Sequence, residues 1–148
     1  MPLVRGELNA KARGELGELA FVHKAASLGF GVAKPHGDNE CYDFILDSGE
    51  RLWRVQVKST YCVSGGALGY RVMSRRNHLE PYSDNEIDFL VAHIVPRNLW
   101  YVVPVKSVGT RSFIHFHPSG CNQAGGFFES YREAWHLMAA HGPRPSAK

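Results

Sequence analysis

Apolar positions along the chain follow two rhythms. From residue 9 to residue 30, in NAKARGELGELAFVHKAASLGF, they recur at helical spacing. At about 100° per residue, Ala12, Leu16, Leu19, Ala20, Val22 and Ala26 fall on one broad arc. Asn9 suits an N-cap and Gly29 a stop, so a helix is expected between them. Glu15 projects between Val22 and Ala26, at the edge of the arc, and Glu18 lies further towards solvent. A carboxylate bordering a buried face needs a partner or a path to water, and both readings stay open for Glu15.

The second rhythm alternates with a period of two, as strands do. FGVAKP reads as a short strand, YDFILD as a second, SGE as a hairpin turn and RLWRVQVKST as the antiparallel partner. In WRVQVKST, Val55, Val57 and Ser59 share one face, while Arg54, Gln56 and Lys58 share the other. EPYSDNEIDFLVAHIVP ends in an apolar run suited to a central strand, closed by Pro96. WYVVPV gives a further strand and SFIHFH an edge strand. FFESYREAWHLMAAH reads as an amphipathic helix. CVSGGALG is Gly-rich, but no GK[ST] follows, so it is a turn or loop and not a phosphate cradle. No repeat or linker divides the chain; one domain over residues 1–141 and a disordered polar tail over 142–148 are expected.

Composition narrows the class. With 148 residues, 44% of them hydrophobic, the chain suits a single globular core. No apolar run reaches the roughly 18 residues of a membrane span, and the first residues have no signal-peptide core. A cytoplasmic location is the expectation. Cys41, Cys62 and Cys121 form no CxxC pair or zinc spacing, which points to reduced structural thiols. A net charge of +3 permits a nucleic-acid partner without demanding one. Arg71, Arg75, Arg76 and Asn77 cluster in YRVMSRRN; they suit phosphate contacts, which position DNA without reading it, or a solvated run.

The polar residues at core borders form a constellation. Gln56 and Lys58 are two apart, so their side chains point the same way, roughly 6 to 7 Å apart. In a hairpin Asp43 can sit beside them across the ladder. Glu15 and Asp43 as carboxylates, with the amide oxygen of Gln56, make a hard oxygen site of the kind Mg²⁺ takes, with water and a substrate phosphate completing it. Mn²⁺ is the alternative ion. Lys58 is no ligand; its ammonium suits an attacking water or the charge on phosphoryl oxygens.

With its acids in this order, the chain resembles the PD-(D/E)xK nuclease superfamily, above all its small homing-endonuclease and junction-resolvase-like members. Glu15 matches the helix acid, Asp43 in CYDFIL the strand acid, and Gln56-Val57-Lys58 the (D/E)xK element. The resemblance runs from about residue 10 to residue 106. It implies a restriction-endonuclease-like α/β fold, a mixed central sheet flanked by helices. It also implies metal-dependent phosphodiester cleavage in duplex or branched DNA, by a chain whose small size favours a dimer. Gln56 departs from the usual acid: it keeps an oxygen acceptor and drops a charge. A non-catalytic DNA-binding or assembly module on the same fold is the alternative.

The remaining candidates read as structural. Asp88 precedes the apolar strand and suits a cap or an ion pair with an arginine. His115 and His117 share a strand face without further zinc ligands in motif spacing. His23 and His93 read as core or interface histidines, and Trp53 and Trp100 as packing residues. Ser59, Thr60 and Tyr61 follow the lysine and suit hydrogen bonds to a phosphate or a water.

Overall fold

The structure, a computed structural model, describes residues 6–63, 69–76, 80–120 and 126–139. Helix α1 spans Ala10–Ser27 and is capped by Asn9, whose side-chain oxygen accepts from the Ala12 N–H at 2.8 Å. It ends before Gly29, whose φ of +94° is cheap only for glycine. The strands are β1 Gly31–Ala33, β2 Phe44–Asp47, β3 Leu52–Thr60, β4 Tyr70–Met73, β5 Arg75–Arg76, β6 Glu80–Pro81, β7 Phe89–Ile94, β8 Leu99–Pro104 and β9 Phe113–Phe116, with a short helix α2 over Val105–Val108.

The main sheet has the order β1-β2-β3-β7-β8. β2 and β3 form the expected antiparallel hairpin, with Phe44 opposite Val55. β3 runs parallel to β7, and β7 antiparallel to β8, so the sheet is mixed. β4 pairs with β9 in a separate two-stranded ribbon, and β5 with β6 in another. Two cores follow from strand alternation. Val55, Val57, Phe44 and Leu46 pack against Phe21 and Ala25 of α1 and against Trp135 and Met138. On the other face Leu90, Ala92 and Ile94 pack against Tyr70, Val72, Ile114 and Phe116 of the β4–β9 ribbon, with Val105 and Val108 of α2. Among the described residues no helix is long and apolar enough to cross a membrane.

Two expectations are corrected. Helix α1 turns nearly its opposite side to the sheet. Its buried residues are Gly17, Phe21 and Ala25, whereas Leu16 is 43% and Leu19 65% exposed, and His23 is exposed too. The helix approaches through small residues: a Cβ on Gly17 would lie 2.4 Å from Ser59 Oγ. The segment FFESYREAWHLMAAH is not one helix. It makes two 3₁₀ turns, Glu129–Tyr131 and Trp135–Leu137, on either side of Glu133, whose φ is +49°. There the chain bonds to β8: Glu133 N–H donates to the Trp100 carbonyl at 2.7 Å, and Tyr101 bridges Arg132. Asn77, Cys121 and the tail 142–148 lie outside the described residues.

Candidate active site

β3 is longer than β2. Its pairing with β2 covers Leu52 to Val55, while its pairing with β7 covers Val55 to Thr60. From Gln56 onward one edge of β3 is therefore left without a strand. Asp43 occupies the first position of this gap. Its N–H donates to the Val55 carbonyl at 2.9 Å, and its Oδ2 accepts from the Val57 N–H at 2.8 Å. The carboxylate thus takes the place of the next ladder acceptor and is fixed in direction. Gln56 and Lys58 alternate with the buried Val55 and Val57, so they share a sheet face with Asp43.

Asp43, Gln56 and Lys58 line a cavity of about 330 Å³ between β3 and α1, whose other lining residues include Arg13, Gly14, Glu18 and Tyr61. The same three residues line a second hollow of about 380 Å³, towards Asp38, Glu40, Arg76 and Tyr82. The cluster is therefore open on two sides.

The helix acid in this cavity is Glu18, not Glu15. Glu15 is exposed and lines a separate hollow with Leu19, Val22, Lys34 and Phe44, which Glu18 also borders. The cause is the reversed helix face: with Gly17 and Phe21 against the sheet, Glu18 sits at its edge and Glu15 lies about a sixth of a turn further out. The missed signal was the small and aromatic stripe Gly14, Gly17, Phe21, Ala25, which has helical spacing of its own. Lys34 pairs with Glu18 at 2.9 Å and holds one of its oxygens.

The cluster is electrostatically tense. Burial pushes the Asp43 carboxyl up, and the Glu18 charge adds to this against the opposing Val57 N–H and the Lys58 ammonium. Burial pulls Lys58 down, with the Asp43 charge opposing. Tyr82, whose ring centre lies 5.9 Å from Lys58 Nζ, is pushed up to about 12 by burial and by the Asp43 charge. It stays a neutral phenol over the physiological range. Among the described residues no three His, Cys, Asp or Glu side chains converge as a metal cluster. Asp43 and Glu18, with the Gln56 amide, are the hard donors that line the cavity between β3 and α1.

The surrounding residues are largely engaged in holding the site together. Asp88 accepts from the Arg54 N–H at 2.8 Å and from its guanidinium at 3.0 and 3.2 Å, the cap and arginine pair expected of it. Cys41 donates to Glu86 at 2.8 Å, and that hydrogen bond, then burial, pushes its thiol up. Arg76 pairs with Glu80 at 2.6 Å and Glu86 at 3.0 Å. Arg71 is exposed, its guanidinium 4.5 Å from the Phe113 ring centre, and Arg75 donates to the Thr110 carbonyl. The basic run is thus spread over two ribbons. His93 is buried, stacked on Trp100 at 3.8 Å and bonded to Asn98 at 3.1 Å. Trp53 packs edge-on to Phe89 and donates to the Met138 carbonyl at 2.9 Å.

Comparison with known proteins agrees with this architecture. Curated protein sequences give no match. Among solved structures, a bacterial homing endonuclease, I-Ssp6803I, superposes with a TM-score of 0.76 at 33% identity, over 89% of this chain and 92% of the other. Hjc, a Holliday junction resolvase from the archaeal hyperthermophile Archaeoglobus fulgidus, shares the fold, with a TM-score of 0.54 at 15% identity over 88% of this chain and 99% of the other. The family model described as PD-(D/E)XK endonuclease matches residues 8–138. The strand edge capped by Asp43, with Gln56 and Lys58 beside it, is thus set in a chain that belongs to the PD-(D/E)XK endonuclease family.

Proposed function

We propose that the protein is a metal-dependent endonuclease that cuts phosphodiester bonds in double-stranded DNA. The observation that carries this reading is the grouping of Glu18, Asp43, Gln56 and Lys58 around one cavity at the open edge of β3. Duplex DNA is preferred to a junction because the homing endonuclease shares 33% identity with this chain and the junction resolvase 15%.

Asp43 would hold a divalent cation through the oxygen that Val57 does not engage, with Gln56 and Glu18 as further donors. The raised carboxyl of Asp43 fits this, since a cation would offset both the burial and the Glu18 charge that push it up. Mg²⁺ is the favoured ion and Mn²⁺ the alternative, because all donors are oxygens. A divalent ion held there would supply Lewis-acid polarisation of the scissile phosphate and activation of a water. Lys58 faces the same space. Its lowered pKa suits it to orient a water and take up its proton as the water oxygen bonds to phosphorus, while the P–O bond to the leaving sugar oxygen breaks and that oxygen is protonated from solvent. As an ammonium it would instead steady the charge on the phosphoryl oxygens.

Arg71 and Arg75, with Arg76 and Asn77 of the same run, supply backbone contacts to DNA. The contribution of Arg76 is reduced by its pairing with Glu80 and Glu86. A homodimer brings two such sites to the two strands. A cytoplasmic location goes with this role, and Cys41 and Cys62 are free thiols.

The test is cleavage of plasmid, linear duplex and branched DNA with Mg²⁺, with Mn²⁺ and with chelator. Cleavage by the parent that needs the ion, and a 10²- to 10³-fold loss in Lys58→Ala, is the expected result. A second reading, DNA binding without chemistry, is favoured by one observation, the amide at Gln56 where the family pattern has an acid. Tight DNA binding without cleavage under every ion would establish it.

A further inference from the structure

Besides the catalytic cluster, the cavity between α1 and β3 is lined by Arg13, Gly14, Ser59 and Tyr61, together called its Arg13 arm. Folding alone leaves two of these residues unexplained. Gly14 lies inside a helix, where glycine is the weakest ordinary residue. Gly17 has a packing reason, the Ser59 side chain, but a Cβ on Gly14 would meet nothing within 4 Å. Gly14 faces space that the protein does not fill.

Arg13 is the second. Its guanidinium carbon lies 5.8 Å from the Tyr61 ring centre, and the Tyr61 hydroxyl donates to the Arg13 carbonyl at 3.4 Å. Among the described residues it enters no ion pair. An arginine steadied by an aromatic ring, with its donors free of carboxylates, is suited to a phosphate. The opposite opening of the cluster has the reverse character: Asp38 and Glu40 line it, and its arginine is neutralised by Glu80 and Glu86.

We propose that the Arg13 arm is a subsite for a backbone phosphate neighbouring the scissile one, on the strand being cut. Arg13 holds that phosphate, Tyr61 orients Arg13, and Gly14 leaves the room it needs. The cut strand then runs from the cluster over α1 and away from the acidic opening. Arg13 is a positioning residue. The inference rests on the nuclease reading and adds the direction of the strand to it.

The experiment uses the full chain and duplexes carrying one neutral methylphosphonate at successive positions around the cut. In the parent, one position flanking the cut should slow cleavage about 10-fold by loss of the Arg13 contact. In Arg13→Ala that position should have no further effect, while the other positions keep theirs. Arg13→Ala should raise KM about 5- to 10-fold with a smaller change in kcat, and lower the salt slope of binding by about 1; Arg13→Lys should restore part of the loss. Gly14→Leu fills the arm and should weaken DNA binding while its Tm stays at or above the parent's. An Arg13→Ala profile identical to the parent's at every position would overturn the subsite, as would a folded Gly14→Leu that binds and cuts normally. Failure of the parent to cut any DNA is a different outcome and removes the nuclease reading itself.

Discussion

Asp43 Oδ2 accepts a hydrogen bond from the Val57 N–H at 2.8 Å, at the point where β2 has ended and β3 goes on. One side chain thus does two things. It satisfies a strand edge that would otherwise lack an acceptor, and it fixes a carboxylate beside Gln56 and Lys58. The cost is a half-buried charge near Glu18.

Asp43→Asn should make the metal-free protein more stable at neutral pH. A carboxyl whose folded pKa is raised holds its proton more tightly folded than unfolded. Its contribution is therefore favourable in acid and lost as pH rises through the raised pKa. Asparagine keeps an acceptor for Val57 without the charge. The expected gain is about 1 kcal/mol, or about 4 °C in Tm for a chain of this size. It should vanish below the ordinary carboxyl value of 3.8. Thermal unfolding in chelator at several pH values checks this; an asparagine variant weaker throughout would show that the charge stabilises the strand edge.

Asp88→Asn should act in the opposite sense. Burial alone would push Asp88 up, but the hydrogen bonds and charge of Arg54 outweigh it and hold the carboxyl below its usual range. Stability from such a group is present above 3.8 and is lost as pH falls through the depressed value. The variant should lose about 1–3 kcal/mol at neutral pH, and its stability curve should converge with the parent's in strong acid. Urea titrations at pH 7 and pH 2.5 measure the difference, and a gap that persists at pH 2.5 would point to lost packing instead.

Glu18→Gln and Glu15→Gln separate the two helix acids. Glu18 borders the cavity of Asp43 and Lys58, and Glu15 does not. Glu18→Gln should weaken Mn²⁺ binding and slow cleavage about 10-fold or more, whereas Glu15→Gln should stay within about 2-fold, as surface substitutions do. Calorimetric titration and initial cleavage rates decide between them. The reverse ranking would restore Glu15 to the site.

Much of the sheet was legible because alternation is a strong signal. The hairpin of β2 and β3, the buried β7 and the pairing of Asp43 with Gln56-Val57-Lys58 all follow from period-two runs and one turn. The facing of α1 was not legible, because the helix carries apolar residues on both sides. The leucines Leu16 and Leu19 outweighed Gly17 and Ala25 in the pattern, yet a side chain at position 17 would force the Ser59 hydroxyl to move. The C-terminal segment failed for another reason. Helical periodicity was present, but the Trp100 carbonyl at the edge of β8 offered the Glu133 N–H a partner, and tertiary pairing overrode local preference.

Gln56→Glu asks whether the amide is a working part of the site. Both side chains offer an oxygen at nearly the same reach, but only glutamate adds charge. Here that charge would join Asp43, already pushed up by burial and by Glu18. Without metal the variant should therefore be less stable than the parent at neutral pH. With Mn²⁺ the order should reverse, since a third carboxylate tightens a hard cation and binding to the folded state adds stability by mass action. Lys58 feels the same change: a second nearby carboxylate should offset its burial and raise its pKa, keeping it charged to higher pH. Cleavage by the variant should shift its alkaline limb upward if Lys58 acts as a cation, and should shift its acid limb upward if Lys58 acts as a neutral base. Thermal unfolding with and without Mn²⁺, followed by rates between pH 6 and pH 10, reads both effects. A variant with parental metal affinity and parental pH profile would mean that Gln56 lies outside the reacting centre.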